Sequence, residues 1–188
     1  DYLMSYQFAN NGSKHQYTVD GFAQFDWNPT KYFNVITGLR FDYYSDSDIN
    51  HFSPKLGLMY KIGNCSLRGS YAGGFRAPTL KEMYMNFDMA SIFMIYGNPD
   101  LKPETSHNFS LSAEYMKGRY NLTVTGFYNV VDNRITTAWS EALKGQVYTN
   151  ISNIRISGAE ANASVKYPCG LSARLSYAYT CLLYTSDA

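Results

Sequence analysis

An all-β fold, an antiparallel transmembrane β-barrel segment of about nine strands, is what this 188-residue sequence predicts. Three observations carry the prediction. Side chains alternate between apolar and polar along most of the chain, as they do on a strand with two unlike faces. The alternating stretches reach about ten or more residues, beyond the usual ~5 to 6 of a soluble strand and close to the ~9 to 11 that cross a bilayer at a tilt. Short turns and long connections take turns along the chain, the layout of an outer-membrane barrel.

The first alternating stretch is Tyr2 to Ala9. In the second, Tyr17, Val19, Gly21, Ala23, Phe25 and Trp27 oppose Asp20, Gln24 and Asp26. The third sets Phe33, Val35, Thr37, Leu39, Phe41 and Tyr43 against Asn34, Gly38, Arg40 and Asp42. Ser53 to Ile62 follows, and then Leu67, Gly69, Tyr71, Gly73 and Phe75 against Ser66, Arg68, Ser70, Ala72, Gly74 and Arg76. Phe109, Leu111, Ala113 and Tyr115 oppose Ser110, Ser112 and Glu114. Tyr120, Leu122, Val124, Gly126, Tyr128 and Val130 oppose Asn121, Thr123, Thr125, Phe127 and Asn129. Between Ile151 and Tyr167 the phase slips, with Ile154 and Ile156 on one parity and Ala159, Ala161, Ala163, Val165 and Tyr167 on the other. A bulge at Ser157-Gly158 is expected to restore the facing. Leu171, Ala173, Leu175, Tyr177 and Tyr179 complete the set against Ser172, Arg174 and Ser176.

Asn28-Pro29-Thr30, Gly63-Asn64, Lys117-Gly118 and Pro168-Cys169-Gly170 read as tight turns, and 45–52, 77–104 and 132–150 as long, irregular connections. The alternation is expected to stop near Thr180. Residues 181–188 resemble translated sequencing-adapter read-through, so 1–180 is read as a partial barrel domain and 181–188 as a non-native tail. Residue 1 is Asp, with no basic or apolar leader after it, so no targeting signal is read and the chain is expected to be an internal piece.

Composition agrees with this reading. Hydrophobic residues make up 45% of the chain, too many for disorder, yet no run approaches the ~18 to 20 apolar residues of a spanning helix. Sixteen Lys and Arg balance 15 Asp and Glu, which argues against a nucleic-acid partner. The 18 tyrosines are the anomaly. Placed on the strands, aromatic rings cluster at the ends of one parity. Trp27, Phe33, Tyr60, Tyr115, Tyr120 and Tyr167 lie by tight turns; Tyr17, Phe41, Tyr43, Phe75, Phe109 and Tyr128 lie at the opposite ends. Two such belts mark the interfaces of a membrane, making outer-membrane lipid a partner. The opposite parity carries Asp20, Asp26, Arg40, Asp42, Lys55, Lys61, Arg68, Arg76, Glu114, Glu160, Lys166 and Arg174, which should line a wet lumen.

Residues Ser70 to Ser106 carry the functional signal. One strand ends in Phe75-Arg76-Ala77-Pro78, and after a loop comes Asn98-Pro99-Asp100-Leu101-Lys102-Pro103-Glu104. Pro78 cannot donate to a ladder and holds Ala77 extended, so the chain leaves the wall there. Asn98-Pro99 and Lys102-Pro103 favour a stiff return into a strand that begins near Thr105. Arg76, Asp100, Lys102 and Glu104 are expected to pair and hold the loop base over the lumen. These two boxes, with Tyr128 to Ile135 and Ile156 to Ala161, resemble the TonB-dependent outer-membrane receptors over roughly Gly57 to Tyr179.

The resemblance implies a barrel of about 22 strands closed by an N-terminal plug. It implies a Gram-negative outer membrane and a large, scarce nutrient ligand, a ferric siderophore, haem or cobalamin. Import would be energised by TonB, ExbB and ExbD through a plug and TonB box that this chain lacks. Haem receptors of the family often carry a His between the boxes, and residues 79–97 hold none. Arg76, Met83, Tyr84, Met85, Met89, Met94 and Tyr96 are the candidate ligand contacts, although packing of the loop on itself is the favoured role for its Met and aromatic residues. No cofactor, resident metal or catalytic group is read. His15, His51 and His107 are scattered, and Asp46, Asp48 and Asn50 offer Ca²⁺ three of the six or more oxygens it takes.

Cys65 and Cys169 are expected three or more strands apart and unbonded, and Cys181 belongs to the tail. An outer-membrane hydrolase would have to rest on Ser106-His107, the one adjacent pair of its kind. A passive porin would share the strands but has no use for the two boxes, and a soluble β-sheet binding module has no use for the belts.

Overall fold

The computed structural model describes residues 4–8, 12–45, 49–89, 93–151 and 153–184. Asp46, Asp48, residues 185–188 and parts of the Tyr2 to Ala9 stretch lie outside them. In chain order the elements are β1 (Met4–Phe8), β2 (Gly12–Gln16), β3 (Thr18–Thr30), β4 (Phe33–Tyr44), β5 (Ile49–Ile62) and β6 (Cys65–Arg76), then α1 (Leu80–Tyr84), β7 (Phe87–Met89) and β8 (Phe93–Tyr96). There follow β9 (Glu104–Lys117), β10 (Tyr120–Asp132), β11 (Arg134–Ser140), β12 (Gly145–Ile151), β13 (Ile154–Lys166) and β14 (Ser172–Tyr184).

Eight strands form one antiparallel wall in the order β14-β13-β10-β9-β6-β5-β4-β3. The expected ninth wall strand is instead β1, a five-residue strand that pairs with β2. The two make a sheet of their own, paired from Met4↔Gln16 to Phe8↔Gly12. Wall strands run from 12 to 14 residues, long enough to cross a bilayer. No helix among the described residues is long and apolar enough to do so.

The two faces differ as the alternation requires. On β9, Ser106, Asn108, Ser110, Ser112 and Glu114 are half-buried, whereas Phe109, Leu111, Ala113 and Tyr115 are exposed. A curved sheet shelters its concave side, so the polar parity is the inside. Leu111 is 67% exposed and Leu175 73%, on the parity that meets lipid. The inner face is laced by polar contacts: Ser70 with Ser110 at 2.7 Å, Thr125 Oγ1 donating to Ser112 at 3.1 Å, and Arg68 paired with Glu114 at 3.0 Å.

Ring pairs sit at both ends of the outer face, Phe33 with Tyr60 at one end, and Phe41 with Phe52 and Tyr71 with Phe109 at the other. Phe75 departs from its expected belt. The β5–β6 register ends at Lys55↔Ala72, and beyond it the Phe75 ring stacks on His51 at 4.3 Å and meets Tyr44 at 5.9 Å, both on the inner parity.

Three further expectations change. The first tight turn falls at Lys31-Tyr32 rather than Asn28-Pro29-Thr30. Pro29 lacks an N–H, the register shifts between Trp27 and Thr30, and Thr30 Oγ1 then accepts from the Tyr32 and Phe33 amides at 3.3 and 3.1 Å. No bulge occurs at Ser157-Gly158. The β10–β13 register runs unbroken from Tyr120↔Val165 to Val131↔Ile154. Ile154 and Ile156 are therefore inner-face residues, and Ile154 is 2% exposed, buried at the loop end of the wall. Gly158 keeps the ladder regular, because a Cβ there would strike the Phe127 ring and the Tyr179 carbonyl. Finally, 77–104 and 132–150 are not irregular. They carry α1 and β7, β8, β11 and β12, the four strands forming a second sheet in the order β11-β12-β8-β7.

Cys65 and Cys169 are free and exposed; β9, β10 and β13 follow β6 before the turn that holds Cys169. The β13–β14 ladder continues through Cys181↔Ser157 to Tyr184↔Ile154.

Candidate functional site at the loop base

Where β6 leaves the wall, Ala77 and Pro78 are buried and Thr79 caps α1. The cap is reciprocal. The Glu82 amide donates to Thr79 Oγ1 at 3.3 Å, and the Thr79 amide donates to Glu82 Oε2 at 2.9 Å. Glu82 is thereby aimed at Arg76, whose Nη1 reaches both its oxygens at 3.1 Å. Arg76 Nη2 donates to Glu104 Oε1 at 2.7 Å, and the same oxygen accepts the Ile135 amide at 2.7 Å. One guanidinium thus joins the end of β6, helix α1 and the start of β9, and Glu104 extends the clamp to β11. Both carboxylates are mostly shielded from solvent, which strengthens these bonds relative to a surface pair.

Thr79→Ala removes the cap that orients Glu82. We expect a loss of about 1 kcal/mol in local stability, seen as faster amide exchange over residues 80–84 of the full-length protein. Unchanged exchange there would show that the cap does not hold the helix.

The second box turns and ties. The Asp100 amide donates to Asn98 Oδ1 at 2.9 Å, an Asx turn, while Asn98 Nδ2 donates to the Tyr148 carbonyl at 3.0 Å. The Lys102 amide donates to Asn150 Oδ1 at 2.8 Å, and Asn150 Nδ2 returns to the carbonyls of Lys102 and Asn133 at 2.8 and 2.6 Å. Leu101 packs with Met83 and Ile135 in a buried cluster flanked by Tyr84 and Tyr148. Gly97 crosses close beside α1, where a Cβ would lie 2.8 Å from the Met83 carbonyl oxygen. The two long loops also share a parallel ladder, Gln146↔Ile95 and Val147↔Tyr96.

The structure therefore gathers the residues of both boxes into one assembly at the mouth of the wall. Of the four charges expected to pair there, Arg76 and Glu104 do. Asp100 and Lys102 contribute through their backbone amides, and Glu82 takes the remaining place in the clamp. Pro99 lies exposed in the turn, and Pro103 half-buried before β9. Among the candidate ligand contacts, Met83 is 5% exposed and committed to packing. Tyr84, Met85, Met94 and Tyr96 are half-buried, and Met89 ends β7.

Sequence reasoning missed Thr79, Glu82, Tyr148 and Asn150. The first two were open to it, since Thr79-x-x-Glu82 is a capping-box pattern. The other two act from a loop about 50 residues away. Ser106 and His107, adjacent on β9, point to opposite faces, and His107 Nδ1 instead meets the Tyr71 hydroxyl at 2.9 Å. No group of three His, Cys, Asp or Glu that could hold a metal occurs among the described residues.

A wall of membrane-length strands, apolar outside and polar inside, with two long loops knitted together at its mouth, defines a segment of an outer-membrane receptor barrel. The chain belongs to the TonB dependent receptor-like β-barrel family, whose profile matches residues 1–188. It is 32% identical over 176 residues to the iron-regulated outer membrane virulence protein of Vibrio cholerae (El Tor Inaba N16961), covering 85% of this chain and 26% of that protein. It is 33% identical over 117 residues to the probable TonB-dependent siderophore receptor PirA of Acinetobacter baumannii, covering 54% and 15%. Its fold matches the crystal structure of the siderophore receptor PirA from Pseudomonas aeruginosa with a TM-score of 0.79 at 22% identity, over 91% of this chain and 33% of that one. The chain spans about a quarter of the length of the Vibrio relative. Its place is the outer membrane of a Gram-negative cell.

Proposed function

We propose that the complete protein imports a ferric siderophore across the outer membrane, energised by TonB, ExbB and ExbD acting on parts of the receptor outside this chain. The observation that carries this reading is the clamped platform at the barrel mouth. Arg76, Glu82 and Glu104 bind two long loops to the wall, a construction suited to holding a large ligand and of no use to an open pore. The names of the relatives above support iron, and the PirA relative supports a siderophore. Burial of Met83 takes one soft iron ligand away from a haem reading.

The test is growth of a strain lacking the gene, supplied separately with a catecholate ferric siderophore, haem and cobalamin. Loss of growth on the siderophore alone, restored by the full-length gene and not in a strain without TonB, is expected. Loss on haem or cobalamin instead would overturn the choice of ligand, and rescue without TonB would overturn the energised mechanism.

A further inference from the structure

We propose that the turn end of the wall is a docking ledge for a carboxylate-bearing polymer beneath the outer membrane, the peptidoglycan of the cell wall. The charges of the chain are sorted by height. Nine of the 15 acids fall in residues 42–48, 82–104 and 132–141, at the loop end. No Asp or Glu occurs in residues 27–41, 49–81, 115–131 or 161–184, the stretches that hold the four tight turns. At or beside those turns stand Lys31, Lys61, Lys117, Arg119 and Lys166, all exposed and none in an ion pair among the described residues. Short turns mark the periplasmic end of a barrel, so this row of cations faces the cell wall.

The turns are joined into one rigid ledge. The Lys61 amide donates to the Tyr32 carbonyl at 2.8 Å, the Met116 amide to the Asn64 carbonyl at 2.9 Å and the Lys166 amide to the Arg119 carbonyl at 3.1 Å. Neighbouring turns lie two strands apart, ~10 Å at ~4.8 Å per strand, so the row runs about 30 Å. Two cations are steadied by rings, Lys31 at 5.0 Å from the Tyr32 centroid and Arg119 at 5.3 Å from that of Tyr167 on the next turn. Charge complementarity and this even spacing select the occupant. A polymer with carboxylates repeated along its length meets all four turns at once, and linked weak contacts add up to firm retention. Phosphates of the inner leaflet would reach Lys117, outward beside Tyr120, but Lys61 and Lys166 share the lumen parity with Ser66 and Ser172. Gly63, Asn64 and Gly118 between the cations offer a protein partner no apolar anchor.

The test needs no siderophore and so stands apart from the import reading. Full-length receptor in phosphatidylcholine nanodiscs is sedimented with purified sacculi, or with sacculi whose carboxylates have been converted to amides. Wild type is expected to bind intact sacculi at least tenfold better than amidated ones, and less well as salt is added. A variant with Lys31, Lys61, Lys117, Arg119 and Lys166 all changed to Gln is expected to lose that binding about tenfold, and Lys117→Gln with Arg119→Gln alone about threefold. Lys144→Gln with Arg155→Gln, at the loop end, should bind as wild type does, and heat-modifiable gel mobility verifies each fold. Equal binding to both kinds of sacculi, or full binding by the folded turn variants, would overturn the proposal. So would loss of wild-type binding in phosphatidylglycerol nanodiscs, since lipid headgroups would then be the occupants.

Discussion

Glu104→Ala is expected to loosen the two knitted loops from the barrel wall by about 2 to 3 kcal/mol, a ~30- to 150-fold rise in amide exchange over residues 134–151 of the full-length protein. The carboxylate accepts from Arg76 at 2.7 Å and from the Ile135 amide at 2.7 Å, so its removal strands a guanidinium and a backbone donor together. An exposed ion pair would be worth ~0 to 1 kcal/mol. Here the carboxylate is mostly shielded, whereas Arg76 keeps partial access to water, which holds the cost below the ~3 to 5 kcal/mol of a fully buried broken pair. Glu104→Gln, which retains an acceptor for Ile135, should fall between wild type and the alanine variant. Exchange unchanged by Glu104→Ala would mean that the parallel β8–β12 ladder and the Met83, Leu101 and Ile135 cluster hold the loops without the clamp. Under the proposed import function the same variant should weaken siderophore binding while the barrel itself still assembles.

A second large effect is expected from Leu111→Arg. Leu111 projects from the outer face of β9, in the rung between Gly69 and Gly126, away from both ends of the strand. An arginine at that depth costs about 2 to 4 kcal/mol, a ~30- to 1,000-fold shift against the folded barrel in lipid. Asn162→Arg, on the inner parity of β13, should assemble near wild-type level, because its charge meets the wet lumen. Heat-modifiable gel mobility and denaturant unfolding of the full-length protein in vesicles measure both. If the two arginines are tolerated equally, the assignment of faces is wrong.

The wall was legible because each of its strands is a local pattern. A residue that meets lipid and a neighbour that meets water can be told apart from polarity alone, so Phe109 to Tyr115 or Tyr120 to Val130 declare their faces without reference to any other strand. The pattern failed where the surroundings cease to be lipid on one side and water on the other. Ile154 and Ile156 are apolar and inward at the loop end of the wall, and polarity by itself suggested a bulge that the unbroken register rules out. Phe75 is aromatic at a strand end yet turns inward onto His51, where the β5–β6 ladder has already ended.

The loop base was legible only in part. The two boxes marked where the chain leaves and re-enters the wall, since proline's missing donor and fixed φ act on their own neighbours. That Glu82 rather than Asp100 would complete the clamp follows from the capping box of a one-turn helix that the surrounding sequence hardly advertises. The Asn98–Tyr148 and Lys102–Asn150 ties join residues 50 and 48 positions apart, and no local pattern encodes the partner of a side chain that far away.

Sequence alone therefore determined that the wall strands are long enough to cross a bilayer, which parity of most of them meets lipid, and the two points where the chain leaves and rejoins the wall, because each depends on residues within a strand or a turn of one another. Tertiary structure decided which loops share a sheet, which carboxylates Arg76 holds and which methionine is lost to the core. Those outcomes depend on which distant segments close against each other, and closure is set by the wall that brings their ends together.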